Sequence, residues 1–115
     1  MSSKKEKVVV YGYSDSPERY SNMAYNLLNA YHHETYKFNP REQSPADLPK
    51  ACDTVSLYMS AAISDKFSGP LLKMTFKRLI VNPGAENEAL EKKLSDKGVE
   101  VIHGCTLVML KTDQF

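Results

Sequence analysis

Short β-type apolar runs alternate along this chain with segments whose apolar positions recur every three or four residues. Lys7–Tyr11 is β-branched and continuous, the pattern of a strand buried on both faces. Gly12-Tyr13-Ser14-Asp15-Ser16-Pro17 is rich in turn formers and predicts a loop. Ser21 suits a helix N-cap, and behind it Met23, Ala24, Leu27, Leu28 and Tyr31 fall on one helical face. His33–Phe38 predicts a second strand, ended by Asn39-Pro40. Arg41–Lys50 carries Pro45 and Pro49 and reads as a loop, and Asp53–Tyr58 as a third strand. Ala61–Met74 has helical character with a break expected at Gly69-Pro70, where Pro70 opens a fresh turn. Arg78–Val81 predicts a fourth strand. Glu86–Lys97 predicts a helix with Ala89, Leu90 and Leu94 on one face, charges that suit its dipole, and Gly98 as its stop. Val99–Ile102 predicts a fifth strand, while Thr106–Leu110 reads equally as a short helix or an extra strand.

Strands alternating with helices imply an α/β fold, a parallel sheet covered by helices on both faces. Such sheets bind ligands beyond the carboxyl ends of their strands, where the strand order reverses. Function is therefore sought in Gly12–Ser21, Asn39–Arg41, Tyr58–Ala61, Asn82–Glu86 and His103–Thr106.

Length and charge narrow the classes. At 115 residues the expectation is one domain over 1–115, without a second catalytic domain. Lys plus Arg number 15 against 14 Asp plus Glu, so no whole-chain field draws in nucleic acid or an anionic membrane. No apolar run reaches the ~18 residues of a membrane span. The start, Met1-Ser2-Ser3-Lys4-Lys5-Glu6-Lys7, is polar, and Val8-Val9-Val10 is too short for a signal-peptide core, so the expected compartment is cytoplasmic. Cys52 and Cys105 lie far apart, which predicts reduced thiols, and no Cys/His grouping has zinc spacing.

The loop chemistry points to an anionic ligand. Gly12 follows a buried strand as the first glycine of a dinucleotide loop does, but Ser14 and Pro17 stand where GxGxxG needs its other glycines. Ser14, Ser16, Ser21, Arg19 and a helix N-terminus supply hydroxyls, a cation and backbone N–H groups for an anion. The alternative for the same residues is a solvated turn with a surface arginine. After the second strand, NAD-binding folds place a carboxylate for the ribose 2′-hydroxyl. Asn39-Pro40-Arg41 offers a cation instead, which disfavours NAD and suits a ligand with an additional ribose phosphate, NADP or coenzyme A.

These blocks carry a resemblance. Val8–Ser21 is similar to the opening of the small stand-alone CoA-binding domain proteins, themselves similar to the CoA-binding domain of succinyl-CoA synthetase α-subunits. Phe38-Asn39-Pro40-Arg41, Val81–Glu88 and Cys105–Leu110 resemble that family's later blocks, in order and suitably spaced. The resemblance implies a Rossmann-like three-layer fold with a five-stranded parallel sheet of order 3-2-1-4-5. It implies that Gly12, Tyr13, Ser14, Arg19 and Ser21 face the phosphates and ribose of CoA or an acyl-CoA. Asn39, Pro40 and Arg41 would line the adenosine end, and Asn82, Pro83 and Gly84 would close the far side. Tyr58 and Met59 join the cofactor-binding set from the third strand end, where many members carry an arginine instead. The loop between Arg41 and Asp53 is also shorter than the family pattern.

Other chemistry is weaker. His32-His33 sits at a helix end, where a cation suits the dipole. His103 lies at the functional edge but has no catalytic role in this reading. Ser14, Asp15 and His103 make a triad only on paper, because no GxSxG elbow presents the serine. A phospho-receiver would need Asp where Tyr58 stands. Tyr13, Tyr20 and Tyr58 lie where one of them can stack on adenine, though tyrosine at a core rim is as ordinary. Cys105 reads first as an inert thiol and second as a partner for a mixed disulfide with CoA. The functional expectation is a non-catalytic CoA carrier, sensor or regulatory module, in which any reaction needs a separate protein partner. The alternatives are a minimal NADP-dependent oxidoreductase and a ligand-free protein-interaction scaffold.

Overall fold

The apolar run at the amino end forms strand β1 (Lys7–Tyr11), with Val8 to Tyr11 all fully buried. A computed structural model describes residues 5–115; Met1–Lys4, the start of the polar lead-in, lie outside the described residues. After β1 come α1 (Tyr20–Ala30), β2 (Glu34–Phe38), a 3₁₀ turn at Pro45–Asp47, β3 (Thr54–Leu57), α2 (Ala61–Lys73), β4 (Arg78–Val81), α3 (Glu88–Asp96), β5 (Glu100–His103) and α4 (Thr106–Lys111). Thr106–Leu110 thus resolves as helix. Among the described residues no helix is long and apolar enough to cross a membrane.

The five strands are parallel, in the order β2-β1-β3-β4-β5. The α/β Rossmann-like class is as expected; the order 3-2-1-4-5 is not, and becomes 2-1-3-4-5. Burial explains the correction. All of β3 is buried, so it needs neighbours on both sides, which β1 and β4 provide. Glu34 and Lys37 of β2 are exposed, as an edge strand requires. The chain leaves β1 for β2 on one side and re-enters at β3 on the other. The switch point therefore lies at the carboxyl ends of β1 and β3.

Side-chain alternation divides the interior in two. Val9, Tyr11, Val55, Leu57, Leu79 and Val81 join Leu71, Leu90 and Leu94 in the larger core, which α2 and α3 cover. Val8 and Val10 meet Leu28 of α1 and Leu110 of α4 in a smaller core on the opposite face. On α1 the inward residues are Ser21, Asn22, Ala24 and Leu28, while Met23 and Tyr31 turn out to solvent. The N-cap is Arg19, two residues before the expected Ser21. In α2 the break falls at Phe67 (φ −122°, ψ 23°), three residues before Pro70. Proline lacks the N–H for the Lys66 carbonyl and its ring crowds that carbonyl, so the turn before it distorts. At the kink the Phe67 carbonyl accepts the hydroxyl of buried Tyr11 at 2.6 Å, and burial raises that phenol well above its usual pKa.

At the opposite end of the sheet, the amide of Glu6 donates to Nδ1 of His33 at 3.0 Å. The imidazole is thus a neutral acceptor, not the helix-end cation expected from the sequence. Burial lowers its pKa, the Glu6 carboxylate raises it, and Lys5 and Arg78 lower it further. The folded state then binds fewer protons than the unfolded state, so stability is fully present above about pH 6.5 and declines as pH falls. Thermal unfolding between pH 7.5 and 5 is expected to show a steeper loss in the parent chain than in His33→Gln; equal slopes would exclude His33 as the cause.

Candidate functional site

Buried apolar strands leave their loops to gather at the carboxyl edge, and at the switch point these loops enclose a cleft of about 500 Å³. Ten of the thirteen residues expected at a ligand line it: Gly12, Tyr13, Ser14, Arg19, Ser21, Asn39, Arg41, Tyr58, Met59 and Pro83. Tyr20, Ser60 and Ile63 complete the wall. Pro40, Asn82 and Gly84 do not line it. Asn82 is buried, and its amide donates to Leu57 O at 2.9 Å and Ser56 Oγ at 3.0 Å while Oδ1 accepts the Thr106 N–H at 2.8 Å. It locks β3, β4 and α4 together. Gly84 sits in an exposed turn at φ +91°, its N–H turned to the Glu86 carboxylate.

Gly12 makes the closest approach. Its φ is +97°, and a Cβ there would lie 2.5 Å from Met59 Cγ and 3.1 Å from the Tyr58 carbonyl carbon. Glycine lets the first loop pass directly over the end of β3. The N–H groups of Gly12 and Tyr13 both donate to Phe38 O, at 2.8 and 3.1 Å, so the first turn is pinned to β2. Asn22 on α1 fixes the next turn, donating to Tyr13 Oη at 3.0 Å and Ser14 O at 3.1 Å. Ser21 Oγ accepts the Ser14 N–H at 3.0 Å. After β2, Asn39 Oδ1 accepts the Arg41 N–H at 3.0 Å, and the Gln43 side chain accepts the Asn39 N–H at 2.8 Å.

The helix ends carry the electrostatics. α3 is capped by Asn87 Oδ1 on the Leu90 N–H, and the Glu91 carboxylate accepts the Asn87 N–H. α4 is capped by Asn82. The two helices that open on the cleft, α1 and α2, have no side-chain cap. Among the described residues, the N–H groups of Tyr20 and Ser21 on α1 and of Ala61 and Ala62 on α2 meet no acceptor. The cleft wall carries two arginines and no carboxylate. Open helix N-termini with added cations form an anion receptor.

Other groups lie outside the cleft. A second hollow of similar size shares Tyr13, Ser14 and Asn39, but Asp15 and Glu42 outnumber its one cation, Lys37. His103 Nε2 meets Glu91 at 2.6 Å, away from the cleft wall. Cys105 is half-buried at the start of α4 and does not line the cleft, and burial pushes the Cys52 thiol up to about 12. The Tyr58 hydroxyl is shut away from solvent beside the Ser56 and Thr106 hydroxyls, which bond each other at 2.7 Å and leave it no partner in hydrogen-bonding geometry. Burial raises this phenol to about 12, with the two neighbouring hydroxyls opposing.

Comparison with known proteins gives a consistent result. A family model described as the CoA binding domain matches residues 6–111. A solved structure described only as an uncharacterized protein is 32% identical over 97% of this chain and 99% of its own, with a TM-score of 0.86. A hypothetical protein from Pyrococcus horikoshii OT3 shares the fold at 19% identity, over 95% of this chain and 84% of its own, with a TM-score of 0.82. A conserved hypothetical protein from Pyrococcus furiosus is 25% identical over 84% of this chain and 91% of its own, with a TM-score of 0.71. No curated protein matches the chain.

Proposed function

The chain belongs to the CoA binding domain family, and from that premise we propose that its cleft binds coenzyme A or an acyl-CoA, as a non-catalytic carrier, sensor or regulatory module. The observation that carries this reading is the pair of uncapped helix N-termini, α1 and α2, opening on one cleft with Arg19 and Arg41 in its wall. Diphosphate oxygens would replace the missing caps on the Tyr20, Ser21, Ala61 and Ala62 N–H groups. Gly12 supports the reading by letting the first loop lie directly on the end of β3, where Tyr58 and Met59 line the cleft. Arg41, set by its turn on Asn39, is suited to the additional ribose phosphate that separates CoA from NAD. Tyr13, Tyr20 and Tyr58 offer rings of which one stacks on the adenine. When bound, CoA supplies a thiol or thioester at the end of a flexible arm. The residues of this chain hold and orient its phosphates, and none of those in the cleft wall forms a nucleophile–base pair.

Calorimetry with CoA, dephospho-CoA, NADP and NAD tests the reading. Tight binding of CoA is expected, with Arg41→Ala weakening it about tenfold through loss of one charge-assisted contact. Dephospho-CoA should lose far less on the same substitution. Binding of NADP without CoA would favour an oxidoreductase, and binding of no nucleotide would favour a protein-interaction scaffold; either result overturns the proposal.

A further inference from the structure

The two ends of the cleft differ in chemistry. Strand order places the loops after β2 and β4 at its opposite ends, about 14 Å apart at the usual strand spacing, with the loops after β1 and β3 between them. The β1 and β2 side brings Arg19, Arg41, Asn39, Ser14 and Ser21 to the wall. From the β3 and β4 side come Tyr58, Met59, Ser60, Ile63 and Pro83, with no charge among them. The Tyr58 hydroxyl is shut away from solvent, so among the described residues Ser60 holds the one hydroxyl open to a ligand on that half.

The loop after β4 is rich in polar residues, yet its polar groups are engaged inside the protein. Asn82 uses its amide hydrogens on Leu57 O and Ser56 Oγ, and its Oδ1 on the Thr106 N–H. Asn87 donates to Ser64 Oγ at 2.7 Å and Asp65 Oδ1 at 2.9 Å, and its Oδ1 caps α3. The Gly84 N–H is held by Glu86, which is not in the cleft wall. What this loop presents to the cleft is Pro83. The first turn of α2 adds Ile63, itself half-buried against the larger core.

We infer that Ile63 and Pro83 make the cleft selective for a pantoyl arm against a second nucleoside; the inference deepens the CoA reading and rests on it. With the diphosphate on the α1 and α2 N–H groups and the ribose phosphate on Arg41, the adenosine lies toward β2 and the rest of the ligand leaves toward β4. One methylene beyond the phosphate ester, CoA carries a carbon with two methyl groups. A dinucleotide such as NADP carries a ribose with its diol at the same distance. The methyl groups gain by leaving water for Ile63 and Pro83. A diol set there gives up water and finds Ser60 alone to replace it, a loss that the apolar wall does not offset. Arg19 and Arg41 suit either ligand, so the choice between them falls to the β4 end.

Calorimetry with each ligand and its truncated form isolates the arm. 3′-Phospho-ADP is CoA without pantetheine, and 2′-phospho-ADP is NADP without its second nucleoside. CoA is expected to bind at least about tenfold more tightly than 3′-phospho-ADP, and NADP no more tightly than 2′-phospho-ADP. Ile63→Ala should shrink the CoA advantage about fivefold, and Pro83→Ala, at an exposed position, about twofold. Each readout is a ratio of two affinities of one preparation, so a variant that is only less stable does not move it. Melting curves show that each variant is folded. Equal binding of CoA and 3′-phospho-ADP overturns the inference. So does a gain from the second nucleoside of NADP as large as the gain from pantetheine, or a CoA advantage that neither substitution alters. Those results leave the CoA reading standing. Failure of CoA and 3′-phospho-ADP alike to bind refutes the CoA reading, and the inference falls with it.

Discussion

Gly12→Ala is expected to lower the unfolding free energy by about 3 kcal/mol, from backbone strain of ~1–3 kcal/mol and overpacking of similar size. The two costs arise separately. At φ +97° an L-residue is strained whatever space surrounds it. The added Cβ also meets Met59 Cγ at 2.5 Å and the Tyr58 carbonyl carbon at 3.1 Å. The methionine side chain can rotate away, but the Tyr58 backbone cannot move without disturbing β3, whose neighbouring amide bonds Tyr11 O at 2.9 Å. In a chain of this length the loss corresponds to roughly 10–15 °C in melting temperature. The first loop would lift from β3 and disturb the cleft floor, so CoA affinity should fall with stability. Chemical denaturation and calorimetry below the melting point measure the two effects. A variant within 1 kcal/mol of the parent would show that the loop relaxes freely.

Asn82→Leu is expected to cost a similar amount, about 2–3 kcal/mol, by a different route. The side chain does not line the cleft, yet three buried groups bond to it: the Thr106 N–H, the Leu57 carbonyl and the Ser56 hydroxyl. Leucine has similar volume and replaces none of these bonds: the Thr106 N–H loses its acceptor, while the Leu57 carbonyl keeps the backbone N–H of residue 82 at 3.4 Å and the Ser56 hydroxyl keeps Thr106 Oγ1 at 2.7 Å. The unpaired Thr106 N–H costs ~1–3 kcal/mol and the two lost amide bonds add about 1 kcal/mol, offset in part by the hydrophobic gain. Asn82→Asp separates hydrogen bonding from packing. Its carboxylate still accepts from Thr106 N–H but faces the Leu57 carbonyl without a proton. Burial raises such a carboxyl, so this variant should regain stability as pH falls and the acid form becomes a donor. Equilibrium unfolding at several pH values reads this out, and a loss independent of pH would assign the effect to packing alone.

Much of this architecture is legible in one sequence. The continuous β-branched run Lys7–Tyr11 and the short run Arg78–Val81 match strands β1 and β4 at both ends. The strand-end loops that hold the cleft follow from the same alternation. Pairing order is another matter. A local pattern reports that a strand is buried, not which neighbour buries it, and the polar Glu34 and Lys37 of β2 were the available sign of an edge. Asn82 and Asn39 both end strands and look alike as letters. One turns into the core and the other to the cleft because α4 returns over β3 and brings Thr106 to Asn82, a contact between residues 24 apart. Asn22 escapes notice for a related reason. Its value lies in gripping Tyr13 and Ser14 across a turn, and nothing in a helical pattern distinguishes it from the solvent-facing Asn29.

The two helix starts left without side-chain caps also bear on how the protein persists. Caps of this kind are worth ~0.5–2 kcal/mol each, and here that stabilisation is deferred to whatever anion arrives. A ligand that binds only the folded chain adds RT ln(1 + [L]/Kd), about 2.7 kcal/mol at a hundredfold excess over Kd. With a ligand bound as proposed, the stability of the fold would be set in part by the supply of that ligand. Depletion would raise the unfolded fraction and expose more of the chain to proteases, so the amount of protein would follow the size of the ligand pool without any separate control over its synthesis.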